Sequence, residues 1–484
     1  MTYLDSLRAR ISLQTFIIVA ALIIAPSSGI AIAAALRGDP LLLIIVGALL
    51  GAVIMVYAPI ELLLLAGILG TMLADSRLVA SGVIYYTRFV PMGMLTVRTL
   101  LDVVLHRERH MRLERQILVP GMAFIGLAFV SALYSLTRDL TIQRAFSMVF
   151  VILAFGLGLP NYLADYLRFS RALKWVIVLI GGVVVVGTLM AGGSQDALYV
   201  DQSFLRVRGI FINPNTQGLM AMLIFYPLIW WWQTERHPLR RRILVAGVII
   251  WGLLVLLAGS RASFAGLLGG GIVLALMYGR SSLRYASLIA IALALALLFI
   301  VYTPEYGRVI DFYTPTDAPT PVEAGIAANV DRPYLIQRAI ELGMRSPILG
   351  VGFGASDRLF AEDVPFLVAQ GIYVAGSHNS YTRMFVDLGL VGLAFGFTVF
   401  AVVLHSIFTA PANIRRDSTI ALLTATVIAG LINAFFEDWL FGFGSASTLP
   451  FWFFFALIPI RLTQLAMQPK LDMKSMDTAA EAVK

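Results

Sequence analysis

Arginine side chains beside long apolar segments are the first candidates for chemistry in this chain. Arg261 follows Gly259 and Ser260 between two apolar blocks, where a guanidinium is costly unless it faces water or an anion. A side chain that snorkels from a helix end explains this position equally well. Arg332 opens a predicted amphipathic helix, where its charge opposes the helix dipole. The alternative is that Asp331 caps this helix and forms an ion pair with Arg332.

His378 is the histidine best placed for acid–base work. The other four histidines fall in predicted cytoplasmic loops or at a cytoplasmic helix end, whereas His378 precedes an apolar block beside Asn379 and Tyr381. Both neighbours can hydrogen-bond, so they could fix the imidazole tautomer and bind the substrate. The alternative is a polar helix cap. The chain has no cysteine, and His378 is the only histidine predicted to lie on the extracytoplasmic side. We therefore predict neither a metal site nor a cofactor.

Three further segments carry polar residues that could bind a substrate. Arg208 and Asn215 lie at the two ends of one segment. The alternative interpretation of this segment is a turn followed by an asparagine that caps the eighth helix. Arg338 is predicted to face water on the helix that Arg332 opens. The acidic run Glu437-Asp438-Trp439 could orient a sugar, or anchor a helix end at the membrane interface.

Composition shows what must position these residues. Of 484 residues, 59% are hydrophobic and 13% are charged, and the mean hydropathy is +0.86. The apolar residues fall in blocks of about 17–25, the length that crosses a bilayer. We therefore predict an all-α polytopic transmembrane bundle with about 14 spans, or 12 if the second and third form a re-entrant pair. The predicted spans are 15–36, 41–57, 59–74, 82–104, 117–135, 144–163, 174–191, 218–233, 243–259, 263–279, 284–302, 383–408, 417–436 and 448–465.

The basic residues predict the orientation. They cluster in alternate loops and in both termini, which the positive-inside rule assigns to the cytoplasm. The net charge of +8 is thus largely topological, and we predict no nucleic-acid partner. The organisation is helices 1–11 over 1–302, a long extracytoplasmic loop over 303–382, helices 12–14 over 383–466, and a cytoplasmic tail over 467–484.

The candidate residues all fall on the outer side of this alternation. Its loops are 192–217, 259–262, 303–382 and 437–447. A short helix is predicted over Arg332–Arg345, with its apolar side chains against the membrane domain: Leu335, Ile336, Ala339, Ile340 and Leu342. Gly350, Gly352 and Gly354 lack the strand–loop–helix context of a nucleotide-binding loop, so we predict a tight loop returning to the membrane.

Four motifs in order resemble the bacterial O-antigen ligase and O-antigen polymerase superfamily. They are the segment from Arg208 to Asn215, Gly259-Ser260-Arg261, Arg332 with the segment from Pro347 to Gly352, and His378-Asn379 with the segment from Asp387 to Gly392. The family pattern usually has glutamate where this chain has Asp387.

The resemblance implies a glycosyltransferase in the bacterial inner membrane, with its active site on the periplasmic side. It would move a glycan block from undecaprenyl diphosphate to a glycan or lipid-linked acceptor hydroxyl, with inversion and without a metal. Two arginines would bind the diphosphate and a histidine would act on the acceptor, roles that fall here on Arg261, Arg332 and His378. Polymerase and ligase both stay open. A transporter or flippase is the alternative function, and a membrane scaffold is the third. Against transport, the charged residues cluster outside, and the main intramembrane charges, Arg88 and Arg98, lie near enough to helix ends to snorkel.

Overall fold

The computed structural model describes residues 59–76, 88, 90–105, 114–193, 198–201, 204–277, 332–363, 377–442 and 444–482. These residues form helices and one β hairpin. The helices are α1 (Ile60–Ala74), α2 (Val90–Leu105), α3 (Arg115–Ser131), α4 (Arg138–Leu153, continued to Tyr162), α5 (Tyr166–Gly193), α6 (Pro214–Thr234), α7 (Pro238–Leu257), α8 (Arg261–Met277), α9 (Arg332–Gly343), α10 (Ser356–Asp363), α11 (Ser380–Thr409), α12 (Ala412–Arg415), α13 (Ser418–Asn433) and α14 (Thr448–Ala482).

The predicted helical class is confirmed, and each predicted span within the described residues corresponds to a helix. Within the part of the chain that the structure describes, four helices are long and apolar enough to cross a membrane: Arg138–Tyr162, Tyr166–Met190, Ser380–Thr409 and Thr448–Met467. The chain is therefore a multi-pass membrane protein. The predicted spans 15–36, 41–57 and 284–302 lie outside the described residues, so the number of spans stays a prediction.

Helix starts follow from local capping residues. Asn213 accepts a hydrogen bond from the Asn215 backbone N–H ahead of α6, where Pro214 takes the first helical position. The predicted asparagine cap is thereby confirmed. Asp417 caps α13 in the same way through the N–H groups of Thr419 and Ile420.

The core of the bundle is built around α6, α8 and α13. The predicted close packing at the glycine run of α8 is confirmed at Gly270, where a methyl group would lie 2.6 Å from the Ala425 carbonyl oxygen of α13. Small residues at such contacts let helix backbones approach closely, which favours helix association in a membrane.

Hydrogen bonds between neighbouring helix ends and loops define the two ends of the bundle. At one end, Trp230 donates to Thr419 at 3.1 Å, and Gln464 donates to the Leu163 carbonyl at 2.7 Å. At the other, Leu136 N–H donates to the Val351 carbonyl at 3.3 Å, and Ser380 N–H donates to the Ala434 carbonyl at 2.9 Å. The first set joins helix ends predicted to be cytoplasmic and the second set joins ends predicted to be outside. We call the second set the outer end, following the orientation predicted from the basic loops.

A β hairpin in the outer loop 192–217 was not predicted. Strands β1 (Leu198–Asp201) and β2 (Phe204–Val207) pair antiparallel, with Leu198 opposite Val207. Each strand has only four residues, too few for its hydropathy pattern to identify it. After β2 the chain turns, and Phe211 pairs with Ser76 across an isolated bridge.

Two of the sequence motifs meet at a break in α11. Gly389 (φ 63°, ψ −159°) interrupts the helix, and the loop from Pro347 to Gly352 lies against the interruption. Val351 N–H donates to the Val386 carbonyl at 3.0 Å, and Leu390 N–H donates to the Pro347 carbonyl at 2.8 Å. The predicted tight loop therefore also supplies partners for the backbone groups that the broken helix leaves unpaired.

Gly350→Ala is expected to lower the free energy of unfolding by more than about 2 kcal/mol. Gly350 has φ +69°, where a Cβ costs about 1–2 kcal/mol, and the added methyl would also collide with the Asp387 backbone, which cannot move aside. Thermal unfolding in detergent measures the change. Gly126→Ala is the control, because Gly126 lies in α3 with open space around it, so that change should be neutral or slightly stabilising. Equal effects would contradict the docked loop.

The predicted amphipathic helix forms as α9 and packs on α10 and α11. Leu335, Ala339 and Leu342 are buried in a cluster with Phe360 and Val386. Ile340 was predicted to join this apolar face, but its side chain is 45% exposed. The reason is helical geometry, because Ile340 lies one residue beyond Ala339 and so points about 100° away.

Two arginines of the membrane region lie inside the bundle. Arg88 and Arg98 read in the sequence as snorkelling residues near helix ends, yet they are only 9% and 1% exposed. Arg98 is the ninth residue of α2, too deep for its head group to reach solvent along that helix. The snorkelling interpretation is wrong for both.

Candidate functional site

Arg206 joins two of the motifs at the outer end. It is the third residue of β2, and its Nε donates to the Ala258 carbonyl at 3.0 Å. Its Nη2 donates to the Asn215 side-chain oxygen. Arg206 therefore ties the start of α6 to the turn that leads into α8. No separate role was predicted for Arg206, because an arginine in an outer loop is ordinary until its two partners are known.

The turn before α8 places Arg261 at the rim of the outer end. Gly259 has φ +59°, and Arg261 is the first helical residue, with an exposed side chain. Behind it, Ser260 and Ser263 hydrogen-bond each other at 3.0 Å, and Asn433 donates to Ser263 at 3.2 Å. The guanidinium thus projects from a turn whose buried side is fixed to α13.

His378 and Asn379 lead into α11. Asn379 is buried and caps the helix, accepting from the N–H groups of Tyr381 and Thr382 at 2.9 and 3.1 Å. His378 is half-buried and has φ 51°, the one non-glycine residue with a positive φ among those described. Such a conformation costs energy and persists where the surroundings fix it, as at many functional sites.

Ser380 and Glu437 connect the histidine segment to the arginine segments. The Ser380 hydroxyl donates to the Glu437 carbonyl at 2.8 Å and accepts from the N–H groups of Trp439 and Leu440. The Glu437 carboxylate in turn accepts from the Asn215 amide at 2.7 Å. Asn215 thus links Arg206 to Glu437, and one continuous network runs from the Arg261 turn to the residue two positions after His378.

Two of the predicted substrate-binding residues, Asn215 and Tyr381, also make structural contacts. Asn215 uses its side-chain oxygen and nitrogen in the network. Tyr381 is buried, stacks on Phe397, and donates its hydroxyl to the Leu431 carbonyl at 2.7 Å. Asn215 and Tyr381 therefore have structural contacts that account for their positions without a substrate.

The remaining predicted residues lie on α9. Arg332 begins this helix, and its side chain lies outside the described residues. Arg338 forms an ion pair with Glu341 one turn further on, on a partly exposed face. Helix α9 packs against the first turns of α11, so both residues belong to the outer end.

A buried charge cluster below His378 was missed by the sequence analysis. Arg383 contacts Asp357 at 2.6 Å, Asp438 at 2.7 Å and Asp387 at 3.9 Å, and Arg144 also contacts Asp357. These five residues come from α4, α10, α11 and the loop after α13. Burial raises the pKa of Asp438 to about 6, against the opposing effect of Arg383.

Residues 246–397 match the family described as O-Antigen ligase. The matched segment runs from α7 into α11, covers less than half of the chain, and contains Arg261, Arg332 and His378. The superfamily resemblance predicted from the four motifs is thereby confirmed. No curated protein sequence matches the chain.

Proposed function

From the match of residues 246–397 to the O-antigen ligase family, we infer that this membrane glycan-processing enzyme transfers a glycan block from undecaprenyl diphosphate to an acceptor hydroxyl. The reaction would take place at the outer face of the bacterial inner membrane. The observation that carries the proposal is the continuous hydrogen-bond network between the Arg261 turn, Asn215, Glu437 and Ser380, which brings three distant motifs to one end of the bundle.

Cationic side chains at this end suit a diphosphate leaving group. Arg261 is exposed at the rim, and Arg208 lies two residues beyond Arg206, which contacts the same turn. Guanidinium groups bind phosphate oxygens bidentately and stay charged. Held in place before the reaction, they would stabilise the negative charge that grows on the diphosphate as the glycosidic bond breaks. Arg332 remains a predicted third contact.

The second half of the proposal is acceptor activation by His378. The acceptor hydroxyl oxygen attacks the anomeric carbon as the bond from that carbon to the diphosphate oxygen breaks. The hydroxyl proton passes to His378 and then to solvent, so charge and atoms balance. Attack opposite the diphosphate inverts the anomeric centre. This scheme needs no covalent enzyme intermediate and no metal.

Transfer by the purified protein is the direct test. The protein in detergent or nanodiscs is supplied with a glycan on undecaprenyl diphosphate, and released undecaprenyl diphosphate and the lengthened product are quantified. Extension of the lipid-linked unit alone would identify a polymerase, whereas a requirement for lipid A–core would identify a ligase. Nuclear magnetic resonance of the new linkage reports inversion. Unchanged activity in both Arg261→Ala and His378→Ala would count against the site.

Transport of a lipid-linked glycan is the second candidate function. The burial of Arg98 in the middle of α2 favours it, because ionisable residues inside membrane bundles often mark transport routes. Movement of a labelled lipid-linked glycan across liposomes, without any new glycosidic bond, would select this alternative.

A further inference from the structure

A groove open along one side runs between α3 and α11. It has a volume of about 520 Å³ and an almost entirely apolar lining from Val119, Pro120 and Ala123 on one helix and Ala394, Phe395, Thr398 and Val402 on the other. The side chains of Val119 and Phe395 are 65% and 38% exposed. The two helices approach each other near Gly396 and Phe124.

Apart from Thr398, whose hydroxyl donates to the Ala394 carbonyl at 2.7 Å, the polar residues of the lining lie at one end of the groove. Arg115, the first residue of α3, is exposed, and none of the described residues forms an ion pair with it. Next to it, the side-chain oxygen of Gln116 is buried and accepts no hydrogen bond. The neighbouring Glu114 is buried, and its carboxyl group accepts from Thr463. The groove mouth thus offers a cation and an unfilled acceptor.

The length of the groove indicates what fits it. The lining residues span nine positions on each helix, which corresponds to about 12 Å at 1.5 Å per residue. This is a little under half of a hydrocarbon layer of roughly 30 Å. A single acyl chain of one leaflet therefore matches the groove, with its headgroup at Arg115.

We propose that the groove between α3 and α11 binds one acyl chain of an anionic glycerophospholipid from the predicted cytoplasmic leaflet. The lipid phosphate contacts Arg115, and the Gln116 side chain turns so that its oxygen, buried in the lipid-free protein, accepts from a headgroup hydroxyl. The N-terminus of α3 adds a further attraction for the phosphate. Phosphatidylglycerol has both required features, whereas phosphatidylcholine has no headgroup hydroxyl and no net negative charge.

Lipid retention by the purified full-length protein tests the proposal. Native mass spectrometry would follow titration with phosphatidylglycerol or phosphatidylcholine. Arg115→Ala is expected to weaken phosphatidylglycerol binding by about five-fold, the effect of one basic residue near an anionic membrane surface, and to weaken phosphatidylcholine binding less, because the choline group offsets the charge of its phosphate. Arg115→Lys should restore most of the loss.

Matched variants separate the groove from general effects of charge and bulk. Arg138 is also exposed and also begins a helix, but it lines no part of the groove, so Arg138→Ala should leave binding unchanged. Ala123→Trp should fill the groove and displace the lipid, whereas Met122→Trp, on the same helix but outside the lining, should not. Equal losses in Arg115→Ala and Arg138→Ala would overturn the proposal, as would retention of phosphatidylglycerol in Ala123→Trp or its displacement by polyprenyl phosphate.

Discussion

His378→Asn is expected to lower the rate of glycan transfer at saturating substrate by about 10²–10⁴-fold, the usual contribution of a general base. Asparagine is the sharpest replacement, because residue 378 has φ 51° and asparagine tolerates the left-handed region better than alanine does. The backbone is therefore retained while the imidazole is removed. Because the donor diphosphate is assigned to arginines, KM for the lipid-linked donor should change little.

Two controls make this result specific to the imidazole. His378→Gly should be as inactive as His378→Asn, and added imidazole should restore part of its activity, which a purely structural defect would not allow. The unfolding temperature of His378→Asn should stay close to that of the wild type. If this variant kept more than about a tenth of the wild-type rate, the base would have to be another group.

The elements of the fold that obey simple periodic or local rules were predictable. Apolar block length predicted the helices, and Asn213 before Pro214 predicted the cap of α6, because both signals lie within a few residues of each other. The hairpin and the docking of the Pro347–Gly352 loop into the break at Gly389 were not predictable. The hairpin strands are only four residues each, too short for a periodic pattern. The docked loop depends on backbone hydrogen bonds between segments far apart in the sequence, which leave no periodic trace.

The residues of the candidate site were likewise only partly predictable from the sequence. Arg261 and His378 stood out because each is a polar residue at the border of an apolar block. Arg383 lies at such a border too, as the first residue of the predicted span 383–408, and was passed over because a border charge is ordinary. Its partners Asp357 and Asp438 lie 26 and 55 residues away along the chain, so only the folded structure identifies Arg383 as the centre of a cluster.

Arg383→Ala is expected to destabilise the protein by about 3–5 kcal/mol, the cost of removing one partner from a buried ion pair. The Arg383 side chain is 14% exposed, and its removal leaves Asp387, at 3% exposure, and Asp438 with much less compensating positive charge. Arg338→Ala is the matched control for stability, since the Arg338–Glu341 pair is far more exposed and such pairs contribute about 0–1 kcal/mol. Thermal unfolding of both variants in the same detergent measures the difference.

The pH dependence of Arg383→Ala identifies the cause of its instability. The pKa of Asp438 is already raised to about 6 by burial, and Arg383 acts to lower it, so removing Arg383 should raise it further. A carboxyl group whose pKa is higher in the folded than in the unfolded protein is stabilising when protonated, and this contribution is lost as pH rises through the folded pKa. The free energy of unfolding of Arg383→Ala should therefore fall below that of the wild type by less at pH 5 than at pH 8. Adding Asp438→Asn to Arg383→Ala should reduce this deficit at pH 8. A deficit independent of pH would mean that lost packing, rather than unpaired charge, destabilises the segment that follows His378.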